Sequence, residues 1–162
     1  MRQEPSDAGR SSFQLPAMPR AKDARQRRMP IAAVGVMLVN PEPQGDGAPA
    51  RLLQRALLDC GLDQDAVHLT QPGRRLQADR KRLTPRLLVA MGAAAAEALL
   101  GRPVRLTLER GRITSLADGT RLLVTESPAA ILRQTDAMTR AREYRRLVND
   151  LLHAVPYRRR AA

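Results

Sequence analysis

The stretch "RLLVAMGAAAAEALLG", Arg86–Gly101, decides the fold. Leu87–Met91 is an apolar run without polar alternation, which predicts a strand covered on both faces. Gly92 turns the chain into the small residues Ala93–Ala96, whose short side chains let a helix lie close to a sheet. Gly101 is placed to end that helix. A glycine ahead of a helix also fits a phosphate cradle, but one glycine falls far short of a nucleotide-binding fingerprint. The stretch therefore reads as one strand–helix unit of a parallel sheet.

The flanking sequence repeats the unit. "IAAVGVMLV", Ile31–Val39, is another continuous apolar run, and it ends in the turn-rich "NPEPQGDGAP". "PARLLQRALLDCGL" then predicts a helix with Leu52, Leu53, Ala56, Leu57 and Cys60 on one stripe and Gly61 beyond its end. "DAVHLT" is a second short strand, and "QPGRRLQADRKRLTP" is a basic, partly helical connection. Towards the C-terminus, "VRLTLERGRITSLADGTRLLVT" alternates around "ERGR" and "ADGT", which predicts an antiparallel excursion returning to a core strand. Pro128 opens a short helix to Leu132. "DAMTRAREYRRLVNDLLHAV" is the longest helix, with Met138, Ala141, Tyr144, Val148 and Leu151 expected to face inward. The order implies an α/β three-layer sandwich with a mostly parallel central sheet, in which a site would collect at the carboxyl ends of the strands.

Three segments are expected: a flexible basic tail over residues 1–29, an α/β domain over 30–156 and a frayed basic end over 157–162. Within the tail, "SSFQLPAMP" sets Phe13, Leu15 and Met18 as an apolar island suited to a partner protein.

The net charge of +12 favours a polyanion partner. The excess of basic residues sits in 1–30, 71–86 and 133–160, while 31–70 are net negative. Arg74, Arg75, Lys81, Arg82 and Arg133 are the candidate contacts to nucleic acid. No Trp, one Phe and two Tyr argue against binding that stacks bases on aromatic rings. One cysteine and two histidines in separate elements give neither a disulfide nor a metal cluster, so no cofactor is expected. No apolar run is long enough to span a bilayer and no secretory signal core is present, so a cytoplasmic location is expected.

Taken in series, "VMLVNPEPQGD", "RLLQRALLDCGLDQDAVHLTQ", "PRLLVAMGAAAAEALLGRPVRLTLERGR" and "GTRLLVTESPAAILR" resemble the uracil-DNA glycosylase superfamily, particularly its bacterial iron–sulfur branch. That resemblance implies DNA repair by flipping a base into a pocket lined by three strand-end motifs. A Gly-Glu-x-Pro-Gly loop follows the first strand, an Asn that reads uracil follows the second, and a His-Pro-Ser loop follows the last. Here the first loop is Asn40-Pro41-Glu42-Pro43-Gln44-Gly45, Gln71 stands in place of the Asn, and Ser127-Pro128-Ala129 in place of His-Pro-Ser. The cluster cysteines are missing, and the connection from Gln71 to Pro85 is short. Asn40, Glu42, Gln71 and Ser127 are thus expected to mark a degenerate pocket without catalytic residues.

The chain is also similar to the psi-subunit family of the bacterial DNA polymerase III holoenzyme, through "VMLVN", "QDAVHLTQP", "LLVTESPAAIL" and the Arg-rich final helix. This second resemblance implies an accessory protein of DNA replication. Its tail would engage a clamp-loader subunit and its body a chi-like subunit, with weak electrostatic contact to DNA and none to membranes. The alternative is a glycosylase-like repair enzyme with divergent motifs.

Overall fold

The computed structural model describes residues 34–158. Five strands form one sheet in the order β2-β1-β3-β5-β4: β1 Val36–Val39, β2 Val67–Thr70, β3 Leu87–Met91, β4 Ile113–Ser115 and β5 Arg121–Thr125. All neighbours are parallel except the β4–β5 pair. Every residue of β1 and β3 is buried, as continuous apolar strands between helical layers must be. The side chains of β1 alternate between two cores. Val36 and Leu38 pack with α1 (Ala48–Asp59), α5 (Pro128–Leu132) and α6 (Ala137–Leu152). Met37 and Val39 pack with Leu76 of α2 (Arg74–Leu83) and with Ala95 and Ala96 of α3 (Ala93–Leu100). The expected three-layer sandwich is the fold observed.

Several elements depart from expectation. The first strand covers only Val36–Val39 of the run from Ile31, and residues 31–33 lie outside the described residues. The basic connection after β2 is a regular helix, anchored by Leu76 and Asp79, both buried. In the excursion, Leu106–Glu109 forms a helical turn, α4, before β4. Alternation would send Leu106 and Leu108 to the same side. The turn instead packs Leu106 on the core and leaves Leu108 62% exposed.

The last helix packs Tyr144, Val148 and Leu151 on the core as expected, but its first two turns overhang it. Met138 is 73% exposed and Ala141 is exposed, whereas Leu147, Asp150 and Leu151 are buried. Two acidic residues, Glu143 and Asp150, lie on its inner side because Arg110 meets them there. The chain holds a 3-10 turn over Val155–Tyr157, with Tyr157 packed on the core. Residues 159–162 and the 1–29 tail with Phe13, Leu15 and Met18 lie outside the described residues. Among the described residues, no helix is long and apolar enough to cross a membrane.

Candidate functional site

The strand ends converge as the sheet requires. β1 delivers Asn40, β2 delivers Gln71, β3 delivers Gly92, and β5 delivers Thr125, Glu126 and Ser127. Asn40 is buried and its backbone N–H donates to Thr70 O at 2.9 Å, which ties the first loop to β2. Its Oδ1 accepts from the Glu42 N–H at 3.3 Å, shaping the turn at Pro41. Gln71 Nε2 donates to Glu42 O at 3.0 Å, and Gln44 Nε2 donates to Leu69 O at 2.8 Å. These amide side chains therefore bond to backbone groups of the first loop and of β2.

Glu42 links the first loop to the last. Its Oε1 accepts from the Ala129 N–H at 2.9 Å, 87 residues away, at the start of α5. An acidic group belongs there, because the first-turn N–H groups of a helix lack intrahelical partners. Oε2 is buried and has no hydrogen-bond partner among the described residues. Ser127 is the N-cap of α5, its Oγ accepting from the Ala130 N–H at 3.2 Å, and Pro128 sits at the favoured first helical position. Glu126 Oε1 accepts from the Ser127 N–H at 3.0 Å. Gly92 lets this loop close over the sheet. It has φ +86°, and an added Cβ would lie 3.2 Å from Ser127 Cβ.

The polar groups of the last loop are thus held by protein. Thr125, fully buried, donates through Oγ1 to Asp150 Oδ2 of α6 at 2.7 Å. Arg110 donates to the same oxygen from Nε and Nη2, at 3.2 and 3.0 Å, and from Nη1 to Glu143 Oε2 at 2.7 Å. A cleft of about 260 Å³ opens on the α1 side of the first loop. Its lining combines the apolar Leu38, Leu53 and Leu69 with the polar Asn40, Glu42, Gln44 and Gln64. Ser127 does not line it, so the cleft is not a pocket between the first and last loops.

The candidate phosphate contacts divide. Arg75 and Arg82 of α2 both approach the Asp79 carboxylate, at 3.8 and 3.2 Å. Asp79 also accepts from Thr70 Oγ1 at 2.9 Å and lies 3.3 Å from His68 Nε2. Burial opposes its ionisation, but the bonds from Thr70, His68 and Arg82 prevail and hold the carboxyl below its usual range. Arg74 and Lys81 are exposed on α2, and Arg133 is exposed at the C-cap of α5. Cys60 is a buried core residue, its thiol pushed up chiefly by burial.

Sequence reasoning missed the Asp79 and Arg110 hubs. The Arg75–Asp79–Arg82 spacing carries the signature of i,i+4 and i,i+3 helical ion pairs, so that hub was open to detection once α2 was taken as a helix. Arg110 and Asp150 are 40 residues apart and left no such signature.

Residues 46–152, well over half of the chain, match the family model described as Uracil DNA glycosylase superfamily. The match begins after Glu42, so the first loop precedes it, whereas Gln71 and Ser127 fall inside. A search of curated proteins finds no significant match.

Proposed function

This chain belongs to the uracil DNA glycosylase superfamily, and from that premise we propose that it keeps the fold as a non-catalytic binding module. In this reading it is a psi-like accessory subunit of the replication machinery. The tail with Phe13, Leu15 and Met18 engages a clamp-loader subunit, and the body engages a chi-like subunit. Arg74, Lys81 and Arg133 give weak, salt-sensitive contact to DNA.

The observation that carries the loss of chemistry is the bond from Ala129 N–H to Glu42 Oε1. Excision by base flipping requires an open pocket and donors aimed at the departing base. Here the first loop is tied onto the last, and the serine at the expected imidazole position holds the end of α5. Losing one such electrostatic donor reduces turnover by about 100-fold or more in enzymes that rely on it. Gln71, which resemblance would make the base reader, donates instead to the Glu42 carbonyl.

One observation favours the repair-enzyme reading. Glu42 Oε2 is a buried carboxylate oxygen at the strand ends without a hydrogen-bond partner among the described residues. Single-turnover excision, with protein in excess over a labelled single-stranded oligonucleotide containing one uracil, separates the two. The accessory reading expects no uracil release from either the native chain or Glu42→Gln. Release that disappears in Glu42→Gln would sink it. A pull-down against clamp-loader subunits, with and without residues 1–28, then tests the tail, and unchanged capture without those residues would refute its role.

A further inference from the structure

Helix α6 is longer than the core it covers. Its C-terminal half buries Leu147 and Leu151, while its first two turns leave Ala137, Met138 and Ala141 exposed. Beside them runs α1. Between the two helices lies an open groove of about 430 Å³, lined by Arg51, Leu52, Arg55, Ala137, Arg140, Ala141 and Tyr144. The floor is apolar and the rim is cationic.

Two of the three rim arginines, Arg51 and Arg140, are oriented without being neutralised. Arg51 Nη1 donates to Asp46 O at 2.7 Å, and Arg140 Nη1 donates to Gln134 O at 3.2 Å. Both acceptors are backbone carbonyls, and among the described residues neither guanidinium has a carboxylate within 4.0 Å. Arg55 approaches Asp59 only at 3.9 Å, and that carboxylate also accepts from the Tyr144 hydroxyl. Fixed guanidiniums with unused N–H groups suit carboxylates, which they can bind in bidentate fashion.

We propose that the α1–α6 groove docks an acidic, leucine-bearing segment of a partner protein. Its carboxylates meet Arg51 and Arg140, and a leucine side chain enters between Leu52, Ala137 and Ala141. The small alanines leave room for such an anchor, and the exposed Met138 thioether is adaptable enough to pack beside it. Nucleic acid fits the groove less well. The Arg55 guanidinium lies 5.8 Å from the centroid of the Tyr144 ring and covers that face, and the phenol is bonded to Asp59, so the tyrosine is not presented as a stacking platform. The inference rests on the reading of the body as a binding module.

The test uses the full chain and a short fluorescein-labelled peptide of Asp and Glu with two leucines one helical turn apart. Its controls are the same peptide with serine for leucine and an oligothymidylate of equal charge. Binding by anisotropy is expected for the leucine peptide. Arg51→Glu with Arg140→Glu should weaken it by about tenfold or more, and Arg74→Glu with Lys81→Glu on α2 by less than about twofold. Ala141→Arg discriminates further, because it adds positive charge yet fills the floor. Docking in the groove expects weaker binding, and general electrostatic attraction expects stronger.

Equal losses from the two charge reversals, tighter binding by Ala141→Arg, equal binding of the serine peptide or no peptide binding would each overturn the proposal. Displacement of the peptide by oligothymidylate at equal charge would assign the groove to nucleic acid instead. Uracil excision measured on the same preparations keeps the two readings apart. Excision would defeat the accessory function and leave the peptide data standing, whereas a failed peptide would defeat only the groove.

Discussion

On the α2 side of the sheet, arginines face carboxylates: Arg75 and Arg82 share Asp79, and Arg80 pairs with Asp118. Across the sheet, at the α1–α6 groove, Arg51 and Arg140 are held by backbone carbonyls. Both regions are rich in arginine, yet the first sets its charge against the Asp79 carboxylate that also binds Thr70 and His68 of β2, and the second presents it to solvent. Net charge therefore says little about where a polyanion or an acidic partner binds. The relevant quantity is the charge left after internal pairing, and that differs between faces built from the same residue type.

The inner side of α6 is the extreme case of internal use, and there the contrast is easiest to break. Arg110→Ala should leave Asp150 and Glu143 facing each other without their shared cation, costing about 3 kcal/mol of stability. Chemical denaturation would measure the loss, and a change below about 0.5 kcal/mol would show that the hub is replaceable. Arg110→Lys should recover only part, because a single ammonium cannot reproduce the fork to both carboxylates.

Asp79→Asn should cost less, about 2 kcal/mol, since its arginine partners are exposed and rehydrate when released. It should also sharpen the comparison by freeing Arg75 and Arg82, so retention on a heparin column is expected to rise. No rise would mean that those arginines remain engaged elsewhere. The pH dependence follows from the depressed carboxyl of Asp79. Its ionised form stabilises the fold above the unfolded-state value, and that stabilisation disappears as pH falls through the lower folded value. The stability gap between native chain and Asp79→Asn should hold near neutrality and close below about pH 4. A gap that persisted in stronger acid would contradict the assigned direction.

The groove should behave in the opposite way. Arg51→Glu with Arg140→Glu is expected to change stability by less than about 0.5 kcal/mol, as for exposed residues outside an ion-pair network. A loss comparable with that of Arg110→Ala would move these arginines into the structural class. The smallest effect is spectroscopic. The Tyr144 phenol is pushed up to about 12, first by burial and then by the Asp59 carboxylate. Asp59→Asn should lower the pH at which it ionises in an ultraviolet titration, while burial keeps it above an ordinary tyrosine.

The first and last loops show why the candidate site was only partly legible. The altered motif positions stood plainly in "NPEPQG" and "TESPAA", and Ser127 before Pro128 was open to reading as a helix cap. That Glu42 reaches Ala129 was not, because nothing in either segment specifies the other across 87 residues. Tyr144, Val148 and Leu151 were placed correctly in α6, but Met138 and Ala141 were not. A hydrophobic stripe does not reveal where the core beneath a helix ends.

The sequence alone determined the strand–helix order, the apolar strands buried between two layers, the helix stops at Gly61 and Gly101, and the changed residues at the strand ends. These depend on local periodicity, turn geometry and residue chemistry, which a linear chain carries in full. Only the tertiary structure decided which arginines are paired, which polar groups at the strand ends are bonded, and which part of α6 overhangs the core. Those outcomes depend on distances between residues far apart in the chain. A hydrogen bond or ion pair changes from strong to negligible over a few ångströms, and the packed sheet sets those separations.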